Sequence, residues 1–398
     1  MTIKLPQVLL LLLSLSHTTT TSTATTTTAT TSTTTSTAFC FNHPVTIVVP
    51  CYNEEHRLPR AAFLHYVQQQ QQQQQQQSSS CSHPTQFLFV NDGSTDGTLQ
   101  VLHDLHAAHP TALQVLDLQP NRGKAEAVRQ GLLHVLLSTV QNGNNLISPM
   151  AQKDAPVIVG YWDGDLATPL ESINVFLQIF EQKPQIDMVF GSRVALLGRN
   201  IQRHASRHYL GRIFATLASS LLGLRIYDTQ CGAKLFRVTE DLRLALTEPF
   251  ENRWIFDVEF IARLQTQRTR TRSQAILQQA APLPLERTIY ESPLDEWRDI
   301  SGSKLSFKHK TSALYGLFHI WRRYTSKWQD WNPIPPIHSD HSTSTVSGAN
   351  NSSRSFFFIF IGMLMTFGVF FLWCMYVGIR FCCRRTASGT GSITLKED

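Results

Sequence analysis

Val157-Ile158-Val159-Gly160-Tyr161-Trp162-Asp163-Gly164-Asp165 is an apolar run that ends abruptly in two carboxylates one residue apart. An apolar stretch of this length without alternation has the character of a strand buried on both faces. In open α/β sheets, ligands bind in the crevice beyond the carboxyl ends of the strands, where Asp163 and Asp165 would stand. Paired carboxylates are hard oxygen donors suited to Mg2+ or Mn2+, which keep water and substrate phosphates in their remaining positions. By itself the triplet reads more readily as a solvated turn, so its place among the other strands decides.

Upstream, Val45-Thr46-Ile47-Val48-Val49 is a β-branched run that Pro50 is expected to end. Strands are expected over residues 86–90, 113–118, 157–162 and 188–191. Helices are expected over residues 58–67, 98–108, 124–137 and 170–180, with a polar loop over residues 142–154. This alternation argues for a mostly parallel α/β sheet covered by helices. The triplet then closes the fourth of five strands, and every strand leads into polar residues. The ends are Cys51-Tyr52-Asn53-Glu54-Glu55, Asn91-Asp92-Gly93-Ser94, Asn121-Arg122-Gly123-Lys124, Asp163-Gly164-Asp165 and Ser192-Arg193. All five meet on one edge of such a sheet, and the metal reading overtakes the solvated turn.

Each end has its own chemistry. Gly93 and Gly97 permit positive φ, and Ser94 or Thr95 can cap the next helix. Asp92 is either part of a capped loop or an acceptor for the base or ribose of a nucleotide. Arg122 and Lys124 stand at a helix N-terminus, against the macrodipole, a conflict that a bound diphosphate removes. Arg193, Arg203, Arg207 and Arg212 form a second basic group ahead of the apolar residues 213–224. That arrangement suits either a phosphate carried on a lipid or a surface helix with a buried stripe. Asp257 and Glu259 fall on different faces of a helix, so at most one serves the site.

The chain has 398 residues, 42% of them hydrophobic, and a formal charge of +6. The charge is compatible with anionic substrates or a membrane surface. No dense basic stripe interleaved with aromatics points to nucleic acid. The seven cysteines are odd in number and form no C-x-x-C pair, which supports neither a zinc site nor a disulfide framework. Cys382 and Cys383 are candidates for palmitoylation.

Residues 1–17 read as a signal peptide or weak anchor, and 18–41 as a Thr-rich disordered spacer. Residues 42–330 hold the globular domain, with the glutamine run 68–77 expected as a surface loop. A linker over 331–355 precedes residues 356–379, an uncharged stretch long enough for a transmembrane helix, and a polar tail over 380–398. Arg380, Arg384 and Arg385 against Arg354 place the tail in the cytosol and the domain in the lumen. The overlapping sequons Asn350-Asn351-Ser352-Ser353 agree.

The ordered motifs together resemble family-2 glycosyltransferases of the GT-A fold. Asp228-Thr229-Gln230-Cys231-Gly232, Arg253-Trp254 with Phe256-Asp257-Val258-Glu259, and Gly302-Ser303-Lys304-Leu305 more narrowly resemble the dolichyl-phosphate β-glucosyltransferases. The resemblance implies a Rossmann-like GT-A domain that moves glucose from UDP-glucose to dolichyl phosphate, with inversion, at the endoplasmic-reticulum membrane. It implies a donor site of Pro50, Tyr52, Glu54, Asp92, Arg122, Lys124 and Asp163. Asp163 and Asp165 would hold the metal, with Arg193, Arg207 and Lys234 acting on phosphates in catalysis. Arg207, Arg212 and Lys304 are the acceptor-phosphate candidates. Family members meet their nucleotide-sugar in the cytosol, against the charge rule, so the facing of the domain stays open. Ala167 departs from related mannosyl enzymes, which carry a metal-binding glutamine at that position. Three alternatives stand beside this reading. One is a related polyprenyl-phosphate mannosyltransferase. Another is an enzyme with a protein or polysaccharide acceptor, which needs Asp257 or Glu259 as base. The third is an inactive glycosyltransferase-like membrane subunit.

Overall fold

The computed structural model describes residues 44–76, 84–141, 157–203, 205–276, 281–300 and 307–324. The N-terminal segment and spacer, the loop at 142–154, Lys304, the linker, the apolar stretch 356–379 and the tail lie outside them. Among the described residues no helix is long and apolar enough to cross a membrane.

The first half of the domain alternates as the sequence predicts: β1 (Val45–Cys51), α1 (Arg60–Gln76), β2 (Thr85–Asp92), α2 (Thr98–Ala108), β3 (Leu113–Leu118), α3 (Lys124–Gln141), β4 (Ile158–Trp162), α4 (Ser172–Gln182) and β5 (Met188–Ser192). Then come β6 (Asn200–Gln202), α5 (Ala205–Leu222), β7 (Ala233–Arg237), α6 (Glu240–Ala245), α7 (Phe256–Ile276), a 3-10 turn (Leu285–Arg287), β8 (Ile289–Pro293), β9 (Glu296–Arg298) and α8 (Phe307–Tyr324). The main sheet runs β3-β2-β1-β4-β7-β5-β8, and β6 pairs with β9 as a separate ribbon. Six strands of the main sheet share one direction; β7 alone runs against them, between β4 and β5.

The strands alternate in what they bury. Val48, Tyr161 and Phe190 face one apolar cluster with α3, α5 and α7, while Ile47, Trp162 and Val189 face another with α2 and α4. Helix periodicity matches: in α4, Ile173, Phe176, Leu177 and Phe180 form one buried stripe.

Two expectations are corrected. Pro50 does not end β1, which continues to Cys51. Its neighbours are paired in register with both β2 and β4 only as far as Val48, and beyond that with β2 alone, so a missing N–H is tolerated at the strand's far end. The glutamines are no loop either: Gln68 to Gln76 extend α1. Glutamine is a good helix former, and an existing helix adds residues without a new nucleation step. Gln70 also docks on the start of β2, donating to Thr85 Oγ1 at 3.1 Å and accepting from the Thr85 amide at 3.0 Å.

Helix α3 reaches the sheet through Gly131. A Cβ there would stand 2.5 Å from Val48 Cγ1 and 2.9 Å from Val90 Cγ2, inside their van der Waals radii. Alanine would gain about 1 kcal/mol of helix propensity but force the packed layers apart at roughly 1–3 kcal/mol. Gly131→Ala is therefore expected to lower stability by up to about 2 kcal/mol, read as a lower thermal midpoint. An unchanged or raised midpoint would show that packing at this contact is loose.

Candidate active site

The common direction of β1 to β5 brings the five polar ends to one edge. Because β7 is antiparallel, it begins where its neighbours end, and so adds Asp228–Gly232 to the same edge. Trp162 pairs with Ala233, and the Asp163 amide donates to the Gly232 carbonyl at 2.9 Å. A Cβ at Gly232 would fall 2.0 Å from Asp163 Oδ2. Glycine is thus what lets the first carboxylate lie across the start of β7.

Asp163 is ion-paired with Lys124 at the first turn of α3. Asp165 accepts the Ala167 amide at 3.1 Å, and between them Leu166 adopts φ 50°. A leucine in the left-handed region costs on the order of 1 kcal/mol, which the surrounding turn must offset. Burial raises the Asp165 carboxyl above its usual range, and the charge of Asp163 raises it further. Glu54 is raised as well, first by burial; Asp165, Asp96 and Asp163 add to the effect and Arg57, 3.4 Å away, opposes it. Its buried Oε2 accepts no hydrogen bond among the described residues.

These carboxylates destabilise one another, and a bound divalent cation would relieve them. Asp163 and Asp165 have the donor chemistry for Mg2+ or Mn2+. Among the described residues no three His, Cys, Asp or Glu side chains converge to hold an ion alone. The two aspartates fit a cation that takes its other oxygens from water and a diphosphate. Ala167 contributes only its backbone, to Asp165.

The neighbouring strand ends are laced together. Asn53, at φ 53°, accepts the Thr95 amide at 2.9 Å, and its own amide donates to Ser94 Oγ at 3.1 Å. The Glu54 amide donates to Thr98 Oγ1 at 2.8 Å, and Glu55 accepts the Gly97 amide at 2.9 Å. Tyr52 is left 48% exposed on this rim, beyond half-buried Pro50. Asp92 is buried, and its two oxygens accept the Arg122 and Gly123 amides, each at 2.8 Å. Asp92 thereby holds the Asn121–Lys124 turn in place. Arg122 and Lys124 are exposed on that turn. Desolvation opposes the Lys124 charge, but Asp163, Asp257 and Asp165 outweigh it and hold the ammonium above its ordinary value.

The second basic group is more committed than its sequence implies. Arg193 grips Asp228 through Nε at 2.6 Å and Nη2 at 2.7 Å. That pair holds the Asp228 carboxyl well below the usual range against the cost of burial. Arg193 and Arg203 lie over Trp297 at 5.3 and 5.9 Å. Arg212 stacks on Tyr227 at 3.5 Å and donates to its carbonyl at 2.7 Å. Arg207 lies in the first turn of α5, with its side chain outside the described residues.

Lys234, expected on a phosphate, is 1% exposed. Its ammonium donates to Asp257 Oδ1 and the Cys231 carbonyl, both at 2.6 Å, and lies near the Tyr161 and Phe190 rings. With its ammonium engaged by Asp257 and Cys231, Lys234 joins β7 to α7 beneath the rim. Asp257 also accepts from the Tyr161 hydroxyl, while Glu259 is buried and binds Arg263 and the Glu251 and Asn252 amides. Sequence reasoning missed β7, Trp297 and Glu291, which accepts the Tyr227 and Asp228 amides at 2.7 and 2.9 Å. The short run Ala233–Arg237 carries a lysine and an arginine and has no strand-like alternation to mark it.

Residues 46–242 match the profile of Glycosyl transferase family 2. A dolichyl-phosphate beta-glucosyltransferase of Drosophila melanogaster is 29% identical over 303 residues, 70% of this chain and 75% of that protein. The proteins of the same name from Dictyostelium discoideum and Mus musculus are 27% and 28% identical, over 66% of this chain and 68% and 69% of theirs. Among solved structures, mannosyl-3-phosphoglycerate synthase from Rubrobacter xylanophilus overlaps 74% of this chain and 79% of its own with TM-score 0.44 and 13% identity. An overlap that loose assigns no chemistry.

Gly232→Ala tests the rim. The new methyl must displace the Asp163 carboxylate, and a shift of about 1 Å at a reacting centre can cost roughly 100-fold in rate. Transfer is expected to fall by about that factor while circular dichroism stays native. Retained activity would mean that Asp163 does not need its present position.

Proposed function

We propose that this chain, a family-2 glycosyltransferase, moves glucose from UDP-glucose to the phosphate of dolichyl phosphate at the endoplasmic-reticulum membrane, with Mg2+ or Mn2+ at Asp163 and Asp165. The names of its relatives support the acceptor and the sugar. The observation that carries the reading is the state of Asp257 and Glu259. A neutral hydroxyl acceptor needs a carboxylate base, and both candidates are spent. Asp257 is neutralised by Lys234 and hydrogen-bonded by Tyr161, and Glu259 is enclosed with Arg263. An acceptor phosphate is already anionic near neutral pH and needs no base.

In this reading a phosphate oxygen forms a bond to the anomeric carbon as the bond from that carbon to the UDP oxygen breaks. Attack from the face opposite the leaving group inverts the centre. The cation, when bound, supplies charge that steadies the departing diphosphate. The protein's own part is alignment and electrostatics. Lys124, ion-paired with Asp163, would set its ammonium against the diphosphate. Arg122, exposed beside it, adds charge, and exposed Tyr52 offers a ring face to the base. Arg203 brings positive charge to the acceptor side. A membrane span over residues 356–379 would keep the domain near its lipid.

Asp165→Asn should reduce transfer to background in membranes given radiolabelled UDP-glucose and Mn2+. Chelation by EDTA should do the same to the native enzyme, and added Mn2+ should restore it. Retained activity in the variant would remove Asp165 from the metal site. Label appearing in protein or polysaccharide, with none in a phosphate-linked lipid, would overturn the acceptor assignment.

A further inference from the structure

The charged groups around the start of β7 are paired with one another, but a set of neutral polar atoms beside them is not. Ser192 Oγ, Thr229 Oγ1 and Gln230 Nε2 are buried and have no hydrogen-bond partner among the described residues. Ser192 is 1% exposed and Thr229 0%. Buried polar atoms almost always find partners, so such a group in one place asks for a ligand or ordered water.

The sheet register places them. Tyr161 and Phe190 are both opposite Lys234, on β4 and β5, and their side chains share one face. Side chains repeat every second residue along a strand, so Asp163, Gly232 and Ser192 form the next row on that face, at the rim. Continuing the pairing of Phe190 with Lys234 sets Ser192 opposite Gly232, and the Asp163 amide already binds the Gly232 carbonyl. Ser192 therefore stands two strand spacings from Asp163, roughly 10 Å, across a glycine. Thr229 and Gln230 are on the turn leading into Gly232. Asp228 holds that turn by accepting the Gln230 amide at 3.1 Å.

The chemistry of this row changes along its length. At the Asp163 end it is ionic, suited to a cation and a diphosphate. At the Ser192 end Arg193 and Asp228 offset each other, and Arg203 is held over Trp297. What remains are hydroxyls and an amide, the groups that recognise a neutral polyol. We propose that Ser192, Thr229 and Gln230 form the subsite that reads the hydroxyls of the donor sugar and so sets which hexose is transferred. This rests on the reading that a nucleotide-sugar lies along the rim.

The test compares UDP-glucose with UDP on the full-length protein. Binding of each is measured by calorimetry with Mn2+ and without acceptor, for Ser192→Ala and Thr229→Val separately, with Thr229→Ser as the variant that keeps the hydroxyl. Loss of one neutral hydrogen bond corresponds to about three- to tenfold in affinity. UDP-glucose is expected to weaken by that factor while UDP is unchanged, and Thr229→Ser is expected to bind as the native protein does. The preference in kcat/KM for UDP-glucose over UDP-galactose should fall with it. Equal weakening of UDP and UDP-glucose, or a change confined to the KM for dolichyl phosphate, would overturn the proposal. So would no change at all, which would leave ordered water as the only occupant. If the native enzyme instead prefers another nucleotide-sugar, the donor reading fails, and the subsite is judged by the same comparison of that donor with its own nucleoside diphosphate.

Discussion

The hydrogen bond from the Asp163 amide to the Gly232 carbonyl joins the end of one strand to the start of its antiparallel neighbour. Reversing β7 is what makes the site composite. A wholly parallel sheet would collect only strand ends, each followed by a helix that leads the chain away. An antiparallel strand brings to the same edge a segment entering the sheet, and with it Asp228 to Gly232. Asp163 and Asp165 then face a wall they could not otherwise have. The absence of a side chain at Gly232 is a condition of that contact, because the carboxylate occupies the space a Cβ would fill.

Beneath the rim, buried ion pairs fix the elements that carry it. Lys234 joins β7 to α7 through Asp257, Arg193 joins the end of β5 to the turn before β7 through Asp228, and Arg268 ties α7 to Asp187 and Asp241. Such pairs give little net stability once desolvation is counted, yet breaking one leaves a charge stranded in an apolar setting. Their effect here is on registration: the strands and helices fit in the one arrangement that satisfies all the charges. The family resemblance sets Lys234 on a phosphate, whereas in the fold its ammonium binds Asp257 and the Cys231 carbonyl and acts as a strut.

The parallel half of the fold was legible because its strands are uniformly apolar and its helices carry clean periodicity. The boundaries of α2 and β3 match the expected ones, and the turn chemistry of Asn91 to Gly97 and Asn121 to Lys124 marked their junctions. The D-x-D and its ring of polar ends followed from strand direction. What escaped was set by tertiary contact. Ala233–Arg237 is short and carries a buried lysine, whose carboxylate partner Asp257 is distant in sequence, and a half-buried arginine, so no local pattern could mark it as a strand. Asp92 was legible as a site residue by position, but its engagement by the Arg122 and Gly123 amides depends on a turn 30 residues away. The glutamine run was misjudged because composition was weighed above the helix it continues.

That helix has a mechanical consequence. Its anchor to the sheet is Gln70, three residues into the tract, where both ends of one amide engage Thr85. Beyond it, Gln71 to Gln76 continue the helix with chemically identical residues. A tract that grew or shrank at its distal end would leave the anchor, the first strand pair and the rim at their carboxyl ends where they are. Phe63, Tyr66, Val67 and Gln70 hold the helix to the sheet ahead of that end, so the length of the repeat can change without passing strain into the sheet.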